Sequence, residues 1–247
     1  MKSCDPIARC FAGGSVPQTH SRSLGLVNLF ASLDPSVLAD IERRCSWSTY
    51  SAGTTIIDFL DQEDSVFFLS GGRAHVVVYS SRGKAVEFRE LRSGDWFGES
   101  EALRVMGCPA LIEASQDCVV AKLSGARFQQ LVESNLGLSN DIIAHLKEQL
   151  SRLAVRVFEF SNLTVKERVQ AELLRLVHSE GVSESMVVIR NPPTHVQFAR
   201  RISTHREAVA RELNQLARNG VIERTGGSLI VRDVSYLERL VEVAMVE

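Results

Sequence analysis

The stretch STHREAVARELNQLARNGVIERTGGSLIVR, residues 203–232, decides the fold. Val209, Leu213 and Leu216 recur at spacings of 4 and 3, so they share one face of a helix over about 205–218, which Gly220 ends. Then come Val221–Arg224, the turn signal Thr225-Gly226-Gly227-Ser228, and Leu229–Arg232, which together predict a β-hairpin. Just upstream, Thr194-His-Val-Gln197 matches a capping box and opens a helix over about 195–202. Only Ser203 and Thr204 separate the two helices, the signature of a helix-turn-helix. A helix-turn-helix followed by a hairpin is a winged helix.

The second helix divides its surface. Its apolar side faces a core, while Arg206, Glu207 and Arg211 fall near the opposite side in the first turns. Arginine can donate two bonds to guanine O6 and N7, and glutamate can accept from cytosine N4 in the major groove. N-terminal residues of a second helix are the ones that reach bases. His205, Arg200, Arg201 and Thr194 would lie nearer the phosphates. From Arg190 to Arg224 seven arginines stand against three glutamates, a net +4 in a chain whose total is −2. Such an island fits a local polyanion surface. The plainer alternative gives Glu207 to helix capping and Arg211 to an i, i+4 ion pair with it.

Working back toward the N-terminus, Thr164-Val-Lys-Glu167 is a second capping box, opening a helix over about 165–179 with Val165, Val169, Leu173 and Leu176 inward. Thr204-His-Arg-Glu207 and Ser235-Tyr-Leu-Glu238 match the same pattern. A long helix is expected over 139–162. Ile143, Leu146, Leu150, Leu153, Val157 and Phe160 follow the spacing 3, 4, 3, 4, 3, the seam of a two-stranded coiled coil and a candidate homodimer interface. Ile142, Ala154, Val155 and Phe158 broaden that face, so one side can also pack on the preceding domain. Over 46–123, short runs rich in Val, Ile, Phe and Thr alternate with glycine turns. Thr54–Ile57, Val66–Leu69, His75–Tyr79 and Cys118–Ala121 are such runs, and together they predict an antiparallel roll. Residues 25–45 look helical, with Asp34 as cap, Pro35 in the first turn, and Val37, Leu38 and Ile41 on one face. The fold class is therefore α+β. The expected units are a tail at 1–24, a sensory roll at 25–138, a dimerisation helix at 139–162 and a winged helix at 163–247.

Composition excludes other classes. Of 247 residues, 45% are hydrophobic and 23% charged, which argues for folded domains rather than disorder. No run of about 18 apolar residues exists, so no membrane span is expected, and Asp5 and Arg9 interrupt any leader-like stretch. Five cysteines (4, 10, 45, 108, 118) without a CxxC pair fit a reducing cytoplasm. Neither G-x-G-x-x-G, HExxH, G-x-S-x-G nor metal-spaced Cys and His occurs, so an enzyme is not expected.

A glycine-punctuated roll, a dimer helix and a C-terminal winged helix, in that order, resemble the Crp–Fnr superfamily of bacterial transcription regulators. The resemblance covers roughly 25–235. It rests on "SAGTTII" around Gly53, "LSGGRAHVVV" (69–78), "SGDWFGE" (93–99), "RVFEFSNLTVKERVQAELLRL" (156–176) and "STHREAVARELNQLARNGVIER" (203–224). It implies a cytoplasmic homodimer on double-stranded DNA. The family's R-E-x-x-x-R pattern falls on Arg206, Glu207 and Arg211, which implies a palindrome with half-sites similar to TGTGA and RNA polymerase as a further partner. Cyclic-nucleotide-binding members carry a phosphate cassette, G-E, a short helix, then R-[S/T]-A. Here Gly98 and Glu99 match, but Cys108 and Pro109 stand where the arginine and hydroxyl residue belong. Each lost charge-assisted bond removes about 1.5–3 kcal/mol. The expectation is a regulator without a bound cofactor, not controlled by cAMP in the usual way. Arg104 is a weaker substitute for the missing arginine, and Ser151 is the nearest hydroxyl on the dimer helix where members contact the base. Iron–sulfur members need a cysteine where Ala121 stands, and haem members need a ligand where Ser100 and Glu101 stand. Cys108 as a redox switch, and a cyclic-nucleotide module acting without DNA, are the remaining alternatives.

Overall fold

A computed structural model describes residues 22–58, 64–79, 85–98, 110–180 and 185–246. The chain is α+β. A 3₁₀ turn (Asn28–Phe30) and helix α1 (Pro35–Arg44) lead into eight strands, β1 (Ser46–Tyr50), β2 (Thr55–Ile57), β3 (Ser65–Gly71), β4 (Arg73–Tyr79), β5 (Ala85–Arg92), β6 (Trp96–Phe97), β7 (Ala110–Ala114) and β8 (Cys118–Ser124). They form two four-stranded antiparallel sheets, ordered β1-β8-β3-β6 and β2-β7-β4-β5. Phe67, Leu69, Leu91 and Val120 fill the space between them, and Phe67 stacks on Phe97 at 5.3 Å. Gly98, at the end of β6, has φ +87°. A Cβ there would stand 2.6 Å from the Ser65 carbonyl oxygen, so the close approach to β3 requires glycine.

Several boundaries differ from expectation. The ordered fold begins before residue 25: Leu24 is fully buried, and its N–H and the Ser23 hydroxyl both donate to Glu42. Residues 25–45 are not one helix, because Asp34 caps α1 by accepting from the Ser36 N–H at 2.8 Å and the chain ahead of it turns as 3₁₀.

Helix α2 (Gly125–Ser134) is followed, after Asn135, by α3 (Leu136–Asn162), which starts three residues earlier than expected. Its 27 residues span about 40 Å. Leu138 and Ile142 enter the core beneath the roll, and His145 packs on Trp96 at 5.0 Å. Ala154, Val155 and Phe158, also expected to broaden the packed face, are exposed instead.

The C-terminal unit is α4 (Val165–Ser179), β9 (Val187–Ile189), α5 (His195–Arg201), α6 (Arg206–Arg218), β10 (Ile222–Thr225), β11 (Ser228–Val231) and α7 (Val234–Val246). It has its own core, including Val169, Leu173, Phe198, Val209, Leu213 and Leu229. The hairpin closes at the Thr225–Ser228 pair, and Gly226 and Gly227 both take positive φ, as a two-residue type I′ turn requires. Strand β9, which sequence reasoning did not find, adds to β11 and completes a three-stranded wing sheet.

Candidate nucleic-acid interface

The helix-turn-helix is built by local signals. Thr164 and Thr194 each form a complete capping box, with Glu167 and Gln197 respectively. Helix α5 then ends at Ile202, Ser203 takes φ +53°, and the Thr204 N–H donates back to the Ala199 carbonyl at 3.0 Å. This closes a tight turn. The Thr204 capping box does not form. His205 is the cap residue of α6 and makes no side-chain capping bond, while Glu207 accepts from Arg206 Nε at 2.9 Å. That hydrogen bond holds the Glu207 carboxyl below its ordinary pKa. The Ser235 box fails in the same way, because Asp233 takes the position and accepts from the Tyr236 N–H at 2.8 Å.

Helix α6 carries two faces. Val209, Leu213 and Leu216 are buried in the winged-helix core, while His205, Arg206, Glu207 and Arg211 are exposed. Thr194 is exposed and Arg200 half-buried. Thr194, His195, Arg206 and Arg224 line an open groove of about 500 Å³ between the two helices and the wing. Burial, and then the charge of Arg224, depress the His195 imidazole below its ordinary value. Glu207 lines it too, so the groove sets two arginines, one carboxylate and the Thr194 hydroxyl beside the first turn of α6.

Arg201 is the exception. Its side chain is only 11% exposed and points away from the groove. Nε lies 3.1 Å from Glu87, Nη1 3.4 Å from Glu172 and Nη2 3.6 Å from Glu90. Burial works against its charge, but Glu87, Glu172 and Glu90 hold its pKa above the ordinary value. Arg200, the preceding residue, also turns toward the roll: it lines clefts with Tyr79, His75, Glu87 and Glu113 and does not line the groove of Arg206 and Arg224. Glu87 and Glu172 have no local sequence signal that points to Arg201. The +4 count treated as surface a charge that the fold neutralises internally.

Along α3, Ile143, Leu146, Leu150, Leu153 and Val157 are exposed apolar residues, with Leu150 at 68% and Val157 at 64%. Phe160 departs from the stripe: it is half-buried, with the Arg156 and Arg168 guanidinium groups over its ring at 5.1 and 5.7 Å. Ser151 is exposed on α3. Of the cassette, Gly98 is described, while Glu99, Arg104, Cys108 and Pro109 lie outside the described residues. Burial, and then Glu42, push the Cys45 thiol up to about 11, and burial raises that of Cys118, so neither is a reactive thiolate at neutral pH.

Residues 47–135 match the cyclic nucleotide-binding domain, and residues 167–240 match the Crp-like helix-turn-helix domain. The chain belongs to the Crp–Fnr superfamily. It is a DNA-binding transcription regulator of that superfamily. The cAMP-activated global transcriptional regulator Vfr of Pseudomonas aeruginosa is 25% identical over 191 residues, covering 76% of this chain and 89% of the relative. The cAMP-activated global transcriptional regulator CRP of Pasteurella multocida is 26% identical over 205 residues, covering 81% of this chain and 96% of the relative. A CooA mutant from Carboxydothermus hydrogenoformans shares the fold at a TM-score of 0.74 and 18% identity, covering 87% of this chain and 95% of that one. These relatives are named as regulators rather than enzymes. Among the described residues no helix is long and apolar enough to cross a membrane.

Proposed function

We propose that this regulator acts as a homodimer on a palindromic DNA site with half-sites similar to TGTGA, and that cAMP does not gate it in the usual way. The observation that carries the reading is the division of α6, whose buried apolar face leaves Arg206, Glu207 and Arg211 together in solvent. Arg206 and Arg211 donate to guanine and Glu207 accepts from cytosine. Thr194 and His205 sit beside the backbone and fix register. The exposed stripe on α3 supports a parallel pairing of two copies. A two-fold dimer places its two reading helices in successive major grooves, about 34 Å apart. RNA polymerase is a further partner by family.

Independence from cAMP rests on Cys108 and Pro109, which offer neither the paired guanidinium nor the hydroxyl that a cyclic phosphate needs. A buried phosphate left unpaired would oppose binding. The second reading, activation by cAMP, is favoured by the names of the relatives from Pseudomonas and Pasteurella. Selection of binding sequences from a random duplex pool, without nucleotide, tests the proposal. The expected product is an inverted repeat with half-site centres about 10–10.5 bp apart. Recovery of a single unrepeated motif would contradict the dimeric reading.

A further inference from the structure

The two units have separate cores, and a cluster of buried charges joins them. Its centre is Glu87 on β5, whose side chain is 5% exposed. Besides Arg201, the His75 ring of β4 stands 3.1 Å from it, a charge pair only when that ring is protonated. Around them, Glu172 of α4 lies 3.4 Å from Arg156 of α3 and 2.9 Å from Arg175 of α4, and Arg175 also pairs with Glu159 of α3. The roll, the long helix and the winged helix therefore meet at one set of ion pairs.

The backbone of the helix-turn-helix turn is held in the same place. Arg156 donates to the Arg201 carbonyl and Arg168 donates to the Ile202 carbonyl at 3.0 Å. The next residue, Ser203, carries the positive φ of the turn, and α6 begins three residues further on. The orientation of α6 thus follows from a turn gripped by α3, by α4 and, through the Arg201 side chain, by the roll. Buried ion pairs add little net stability compared with apolar packing, but removing one partner leaves the other charge buried and uncompensated. Arg206, Glu207 and Arg211 take no part in the cluster and are exposed.

We propose that Glu87 is a positioning residue for DNA recognition: through Arg201 it fixes the winged helix against the roll and the long helix, so that a dimer presents both reading helices at a set angle. This rests on the palindromic, dimeric reading above. A single head can reorient freely to meet one half-site. Two heads docking together cannot, and freedom gained at the turn is lost again on each docking.

The test uses the full chain with Glu87→Gln, Arg201→Gln, the conservative Arg201→Lys and the double Gln variant. Affinity is measured at one salt concentration for a palindromic duplex and for a duplex with one half-site. Glu87→Gln is expected to weaken palindrome binding about tenfold and to change half-site binding by less than about twofold, and the double variant should be no weaker than either single Gln variant. Arg201→Lys should recover part of the loss. Equal loss on both duplexes, or none, would overturn the proposal. Amide exchange over 202–206 without DNA is a second readout, expected to quicken in Glu87→Gln while the roll strands keep their protection. Should the natural chain not prefer the palindrome, the dimeric reading fails by itself, and unchanged exchange over 202–206 would separately overturn the grip on the turn.

Discussion

Arg211 sits one turn into α6, exposed, on the side opposite Val209 and Leu213. Arg211→Ala should cost about 1–3 kcal/mol of binding and relax specificity at one base pair, measured by anisotropy on single-substituted duplexes. Equal weakening on all sequences would assign it to the phosphates instead. Glu90 carries a different residue-level consequence. Burial opposes its ionisation, but Arg201, then Arg92 and Arg73, hold its pKa below the ordinary 4.5. A carboxyl depressed on folding stabilises fully above its unfolded value and loses that contribution as pH falls through the lower folded one. Resistance to urea should therefore decline as pH falls below about 4.5, less steeply in Glu90→Gln than in the natural chain. An identical slope in both would exclude Glu90 from the effect.

Among the elements, α3 gives the clearest expectation. Leu150→Glu places a charge in the middle of the exposed stripe and touches none of the buried core. If the natural chain sediments as the proposed dimer, the variant should sediment as a monomer, with the thermal midpoint of the winged helix unchanged. A dimer that survives would move the interface elsewhere. The elements also show what the sequence discloses. The turn glycines at 53, 72, 94 and 98 and the capping boxes at Thr164 and Thr194 are local signals that appear in the structure, while the apolar spacing on α3 gives an exposed stripe only as far as Val157. The boxes at Thr204 and Ser235 failed because a neighbour one or two residues away took the cap position. Strand β9 escaped notice because three residues, Val187–Ile189, carry no periodicity of their own.

Across the full chain, the exposed polar face of α6 was legible because its pattern lies within a few turns of one helix. The burial of Arg201 was not, because Glu87 and Glu90 reach it only through the tertiary fold. The half-burial of Phe160 was hidden for the same reason, since Arg168 covers it from the next helix. Two units with separate cores are thus joined by charges whose sequence neighbours suggest only a basic surface. As proposed, DNA binding is set by the placement of two reading heads and not by cAMP. The direct measurement is fluorescence anisotropy of a palindromic TGTGA-type duplex with the full chain, at fixed salt, with and without cAMP. The expected result is tight, sequence-specific binding without cAMP and the same affinity when it is added. Binding that appears only with cAMP would contradict it and would require another group to hold the phosphate in place of Cys108 and Pro109.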